Sequence, residues 1–125
     1  MIPKIIHYCW FGGQPKTAFI KSCTKTWNKK LPEYQIKEWN ETTFDIESNN
    51  FVKEAYRHKK YAFVADYVRL YVLYNEGGIY MDTDVKVFRK FDEFLTYSFF
   101  TSIEKHPSFF EKVNQEKIDK NGYPI

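Results

Sequence analysis

The stretch YAFVADYVRLYVLYNEGGIYMDTD, residues 61–84, decides how this chain folds. Its first sixteen residues, Tyr61–Glu76, place Phe63, Tyr67, Leu70 and Tyr74 at the three- and four-residue spacing of a helix. Gly77 stands where a glycine ends a helix in the left-handed region. Ile79–Met81 then reads as a short apolar strand running straight into Asp82-Thr83-Asp84, with Val85–Phe88 continuing extended. Helix, glycine pair and strand in that order form the second half of an alternating pattern of strands and helices.

Upstream residues supply the first half. Lys4–Trp10 is a short apolar run opened after Pro3 and closed by Gly12-Gly13, which predicts a buried strand. Pro15 stands where a helix can begin, because its missing N–H is not needed there. Phe19, Cys23 and Trp27 follow on one helical face, with Lys29 and Lys30 favourable to the dipole in the last turn and Leu31-Pro32 as the stop. Tyr34–Trp39 is a second strand, and the polar residues 40–50 form a loop with a helical turn. Phe51–His58 is a short helix with Phe51, Ala55 and Tyr56 inward. Phe99–Ile103 reads as a further strand and Phe109–Ile118 as an amphipathic stretch. The order strand–helix–strand–helix–helix–strand implies an α/β fold with a mostly parallel sheet and helices on its faces. With 125 residues there is room for one domain, residues 1–125.

Composition narrows the function. Hydrophobic residues at 43% rule out a disordered segment, and aromatics at 20% leave rings to spare for stacking on a ligand. The net charge of +3 has no dense basic stripe behind it, which disfavours nucleic acid as a partner. Lys29-Lys30 and Arg57–Lys60 read first as solvated faces, and second as a patch for a phosphate or an anionic membrane. Cys9 and Cys23 match neither a disulfide framework nor a zinc pattern and read as buried free thiols, favouring a reducing compartment. No signal peptide is apparent, so a cytoplasmic location, or the inner face of the membrane, is expected. No P-loop and no G-x-G-x-x-G occurs, which disfavours P-loop ATPases, kinases and dinucleotide dehydrogenases.

Ligands of open α/β sheets bind outside the carboxyl ends of the strands. Those ends carry Trp10–Gly13 and Asp82–Asp84. On a strand, Asp82 and Asp84 share a face, and their repulsion calls for a hard divalent cation such as Mg²⁺ or Mn²⁺. The bland alternative is two solvated aspartates in a turn. Asp66 and Arg69, at i and i+3, share a helix face among Tyr, Val, Leu and Ala, where the pair is expected to be partly buried and suited to sugar hydroxyls. The alternative is a surface salt bridge of little worth. Trp10 is either a core tryptophan or a ring for stacking a nucleobase. His7 reads as a satisfied core histidine.

Taken together, Ala65-Asp66-x-x-Arg69-x-x-x-Leu73-x-x-x-Gly77-Gly78-Ile79-Tyr80-x-Asp82-x-Asp84 resembles the signature of glycosyltransferases with a DXD sugar-binding region. That family includes yeast initiating mannosyltransferases and bacterial capsular polysaccharide transferases, and the glucosylating domains of large clostridial toxins look similar. The opening Ile2-Pro3-Lys4-Ile5-Ile6-His7-Tyr8-x-Trp10-x-Gly12-Gly13 resembles the same family's first strand, and Trp27 and Trp39 fall where such proteins carry tryptophan. The resemblance covers residues 2 to 88.

It implies the N-terminal part of a GT-A type nucleotide-binding sandwich, a UDP- or GDP-sugar donor, a glycan acceptor, and hexose transfer with retention, in surface polysaccharide synthesis. By the same resemblance Asp84 is the direct metal ligand, Asp82 contacts donor and metal, Asp66 and Arg69 hold sugar hydroxyls or the diphosphate, Tyr80 belongs to the donor site and Trp10 flanks the base. Asp66, Arg69 and Asp82 thereby form the catalytic set, with Mn²⁺ or Mg²⁺ as cofactor. Family members are usually longer, and no motif supplying acceptor contacts is found before Ile125. The second expectation is therefore a non-catalytic nucleotide-sugar-binding or assembly module, self-associating through an exposed apolar face or lying peripherally on a membrane.

Overall fold

The computed structural model describes residues 1–103. The element order is β1 (Ile5–Cys9), α1 (Ala18–Lys30), β2 (Gln35–Trp39), a 3₁₀ turn at Ile46–Ser48, α2 (Asn50–Arg57), α3 (Tyr61–Glu76), β3 (Ile79–Tyr80) and a 3₁₀ turn at Asp92–Phe94. The three strands are all parallel and lie in the order β2-β1-β3. Ile5 pairs with Gln35, and Ile6 with both Ile36 and Ile79. The first strand in sequence is thus the central one, which is why it reads as a continuous apolar run.

Side chains alternate across β1 and divide the core in two. Ile6 and Tyr8 point to the α1 side, where Trp27, Leu31, Tyr34, Ile79, Met81, Val87 and Leu95 close a cluster. Cys9 points to the α2–α3 side, against Phe11, Phe44, Val52, Val64, Val68 and Val72. Both cysteines are free; Cys23 is buried and Cys9 half-buried.

α1 begins later than the proline implies. Thr17 is its N-cap, its hydroxyl accepting from the Ile20 amide at 3.2 Å, so Pro15 lies before the helix rather than in its first turn. Cys23 and Trp27 are buried as expected, but Phe19 is exposed because the core ends one turn below it. In α2 the inward residues are Val52 and Ala55, with Tyr56 half-buried; Phe51 is exposed. α3 buries the valine stripe Val64, Val68 and Val72, while Phe63, Leu70 and Tyr74 face outward, Tyr74 at 90% exposure. No strand forms over residues 99–103; Phe100 instead packs against Phe91 and Phe94. The stretch Phe109–Ile118 lies outside the described residues.

Two close contacts join α3 and β3 to the sheet. Gly77 caps α3 at φ 69 and ψ −159, its N–H bonded to the Leu73 carbonyl. This is a positive-φ stop with an extended ψ rather than the left-handed helical one. Gly78 has φ +94, and a Cβ there would stand 2.7 Å from the Ile5 carbonyl oxygen. Glycine alone lets β3 leave the helix and at once lie beside β1.

His7 sits at 0% exposure between these elements. Its Nε2 meets the Gly77 carbonyl at 2.8 Å, and its Nδ1 accepts from the Trp39 indole N–H at 3.0 Å. That pair of partners requires the neutral ring with the proton on Nε2. Burial lowers the pKa of His7, against the opposing Gly77 carbonyl and Glu76; the Lys37 charge adds to the lowering. A histidine whose folded pKa lies below its unfolded value, about 6.5, stabilises the fold fully above that value. Stability is therefore expected to fall as pH drops below about 6.5, where the unfolded chain takes up the proton first. Urea unfolding at a series of pH values from 7.5 to 5 reads this, and His7→Gln flattens the slope. His7→Ala, which strands the Trp39 N–H and the Gly77 carbonyl, costs about 2–4 kcal/mol in the same measurement.

Candidate functional site

Because the strands are parallel, their carboxyl ends share one edge, and the chemistry-bearing residues collect there. β1 ends into Trp10–Gly13, β2 into Asn40-Glu41, and β3 into Met81-Asp82. α3 runs back against the strands. Its C-cap Gly77 lies at Pro3 on the amino edge, and Tyr61 in its first turn lies against Gly12 on the carboxyl edge.

Asp82 and Asp84 do not continue a strand. β3 stops at Tyr80, and the chain turns through Thr83-Asp84, closed by the Val85 amide bonding the Asp82 carbonyl at 3.2 Å. The expectation that a strand aligns the two carboxylates is thus replaced by a tight turn. Its exit is anchored: the Trp27 indole donates to the Val85 carbonyl at 2.7 Å, and the Val87 amide donates to the Thr26 hydroxyl at 2.8 Å. Asp84 is exposed and has no ion-pair partner among the described residues.

Arg69 reaches from α3 across to this turn. Its guanidinium lies 3.3 Å from Asp82 and 3.7 Å from Asp66, and its Cζ stands 4.5 Å from the centre of the Tyr80 ring. The Asp66–Arg69 pair is less buried than expected: the Asp66 side chain is 59% exposed and that of Arg69 36%. Asp66 points to solvent because the buried stripe of α3 passes through Val64 and Val68 on either side of it. The Arg69 Nε is nevertheless buried and has no acceptor among the described residues, so the stem is enclosed while the fork faces outward. Cys9 lies beneath, and burial pushes its thiol up to about 11 despite the nearby Arg69 and Tyr80, which leaves it unreactive at neutral pH.

The group Asp66, Arg69 and Asp82 with the neighbouring Asp84 holds three carboxylates and one guanidinium. No group of three or more His, Cys, Asp or Glu able to hold an ion occurs among the described residues. The donor set is two hard carboxylates, Asp82 partly engaged by Arg69 and Asp84 free. That fits Mg²⁺ or Mn²⁺, which take one or two protein carboxylates and complete their shell with phosphate oxygens and water.

The Trp10 loop is built separately. Trp10 is half-buried, its indole N–H donating to the Gln14 carbonyl at 2.7 Å and its amide to the Trp39 carbonyl at 2.8 Å. Lys16 stands 5.8 Å from the centre of its ring and pairs with Glu38, which also accepts from Tyr8 and Asn40. Trp27 is wholly buried, and Trp39, the last residue of β2, has its indole N–H bound to His7, whereas Trp10 follows directly on the end of β1. Sequence reasoning passed over Glu41, Tyr56 and Tyr61. Glu41 accepts from the Gly12 amide at 2.5 Å and from the Tyr56 hydroxyl at 3.1 Å. The sequence marks Glu41 only by its place two positions after the end of a predicted strand.

Comparison with known proteins now bears on this edge. The profile described as "Glycosyltransferase sugar-binding region containing DXD motif" matches residues 18–101, more than half of the chain. The chain belongs to this family. Inositol phosphoceramide mannosyltransferase 3 of Schizosaccharomyces pombe is 32% identical over 107 residues, covering 77% of this chain and 28% of that protein. An uncharacterised glycosyltransferase of Acanthamoeba polyphaga mimivirus is 30% identical over 122 residues, covering 88% and 46%. Among solved structures, the PaToxG glycosyltransferase superposes with a TM-score of 0.57 at 24% identity, over 72% of this chain and 45% of that one, which establishes likeness of fold. The chain thus spans less than half the length of these relatives. The family match takes in Asp66, Arg69, Asp82 and Asp84, whereas Trp10 precedes it.

The glycine loop is testable apart from any activity. Gly12 has φ +100, and a Cβ there would stand 2.7 Å from the Tyr61 ring. Gly12→Ala is expected to cost about 1–3 kcal/mol in urea unfolding. Part of that cost disappears in a Tyr61→Ala background, which removes the clash and leaves the backbone strain.

Proposed function

We propose that this chain is the donor-binding part of a metal-dependent glycosyltransferase that transfers a hexose from a UDP- or GDP-sugar to a glycan acceptor. The observation that carries the reading is Arg69, held on the Tyr80 ring between Asp66 and Asp82, with Asp84, which has no ion-pair partner among the described residues, two positions on in the same turn. In this reading Asp82 and Asp84 hold Mn²⁺ or Mg²⁺ together with the donor diphosphate. The cation supplies charge neutralisation for the leaving nucleoside diphosphate. Asp66 accepts from sugar hydroxyls, Arg69 donates to the sugar or diphosphate, and the Trp10 ring flanks the base. Transfer with retention and a role in surface polysaccharide synthesis, which the family resemblance implies, are part of the proposal, as is the cytoplasmic or inner-membrane-face location expected from the sequence.

Two protein carboxylates make a weak metal site until phosphate oxygens join them, so cation and nucleotide are expected to bind together. Titration of UDP, GDP and their hexose conjugates with Mn²⁺, followed by tryptophan fluorescence, is expected to give quenching by one nucleotide that EDTA abolishes. Trp10→Phe removes the signal, and Asp84→Ala abolishes the metal-dependent nucleotide binding while leaving the unfolding midpoint unchanged. No quenching from any nucleotide in a folded chain overturns the donor site.

A second reading, a binding module without turnover, is favoured by the outward Phe63, Leu70 and Tyr74 of α3, an apolar face suited to self-association. Transfer or donor hydrolysis by the purified chain excludes it.

A further inference from the structure

We propose that Glu41 is a positioning residue for the donor, acting through the backbone of Gly12 rather than on the substrate; the inference rests on the donor-site reading above. The loop from Trp10 to Gln14 contains two consecutive glycines at positive φ, +100 and +72, a conformation with little intrinsic preference for one shape. Three contacts hold it. The Trp10 indole closes the loop on the Gln14 carbonyl, the Tyr61 ring fills the space where a Gly12 Cβ would stand, and the Glu41 carboxylate takes the Gly12 amide at 2.5 Å.

Glu41 is itself held. The Tyr56 hydroxyl of α2 donates to the same carboxylate oxygen, and the Tyr56 and Tyr61 rings meet edge to face with centres 5.6 Å apart. The segment after β2, the helix α2 and the first turn of α3 thus converge on one peptide group. That group lies two residues from the ring assigned to the base. An acceptor carrying full charge makes a stronger bond to an amide than a neutral one does. A loop fixed before the ligand arrives loses less entropy on binding.

The test compares Glu41→Ala with Glu41→Gln, which keeps an acceptor oxygen for both donors. UDP and GDP are titrated with Mn²⁺, and urea unfolding is measured alongside. Glu41→Ala is expected to weaken binding of the nucleotide that the unaltered chain binds by about tenfold, with Glu41→Gln within about threefold of the unaltered chain. Tyr56→Phe, which removes one support and leaves the Gly12 bond, gives an intermediate loss and serves if Glu41→Ala does not fold. Unchanged affinity in Glu41→Ala, or in Tyr56→Phe where that variant stands in, overturns the proposal, even if stability falls. An unaltered chain that binds neither nucleotide overturns the donor site instead. Hydrogen exchange at the Gly12 amide then still decides the positioning, with faster exchange in Glu41→Ala but not in Glu41→Gln supporting it and equal exchange overturning it.

Discussion

Among the described residues, the polar side chain that the core encloses completely is His7, and the sheet is organised around its two ring nitrogens. One ties the central strand β1 to the indole of Trp39 at the end of β2; the other ties it to the carbonyl of Gly77, where α3 ends and β3 is about to begin. An unpaired group at any of these buried positions costs on the order of 1–3 kcal/mol, so the arrangement holds only when all of them meet. That requirement sets where β2 and β3 stand against β1. Gly78 completes it, since its missing side chain is what allows the backbone of Ile5 to approach.

The candidate site follows from that frame. Three parallel strands with one common carboxyl edge bring together segments far apart in sequence: Trp10 from the first strand, Glu41 from the second and Asp82 from the third. α3 returns along the sheet, so its first turn reaches the glycine loop while Arg69, two turns further on, reaches Asp82. The turn bearing Asp84 is fastened by Trp27 and Thr26, both on α1. α1 therefore shapes the acidic turn from one face of the sheet, while α3 supplies the basic group from the other.

Much of this was legible. The limits of α3, Tyr61–Glu76, follow from its periodicity and its glycine stop, and the parallel order follows from alternation of strands and helices. The buried face of α3 was not legible. Aromatic and leucine residues at helical spacing draw the eye, yet the face that packs is the valine stripe Val64, Val68 and Val72, which meets Phe11, Phe44 and Val52. The turn at Asp82–Val85 was read as strand because nothing in its residues records that β1 offers partners only as far as Ile79 and Tyr80. Glu41 was invisible for a related reason. It lies in a polar loop, and its importance comes from a glycine amide twenty-nine residues away, a partner that only the fold supplies.

The charges of this edge meet at Arg69. Its fork now rests between two carboxylates, both more than half exposed, and exposed ion pairs of this kind contribute little. The Tyr80 ring holds the guanidinium in place without using up its outward donors, and the enclosed Nε has no acceptor among the described residues. A doubly charged anion entering here would compete with Asp82 for those donors and gain two charge-assisted bonds in one geometry. Releasing Asp82 from Arg69 would in turn free its carboxylate for a cation beside Asp84. Anion and cation binding at this edge, as proposed above, would thus be coupled through one guanidinium.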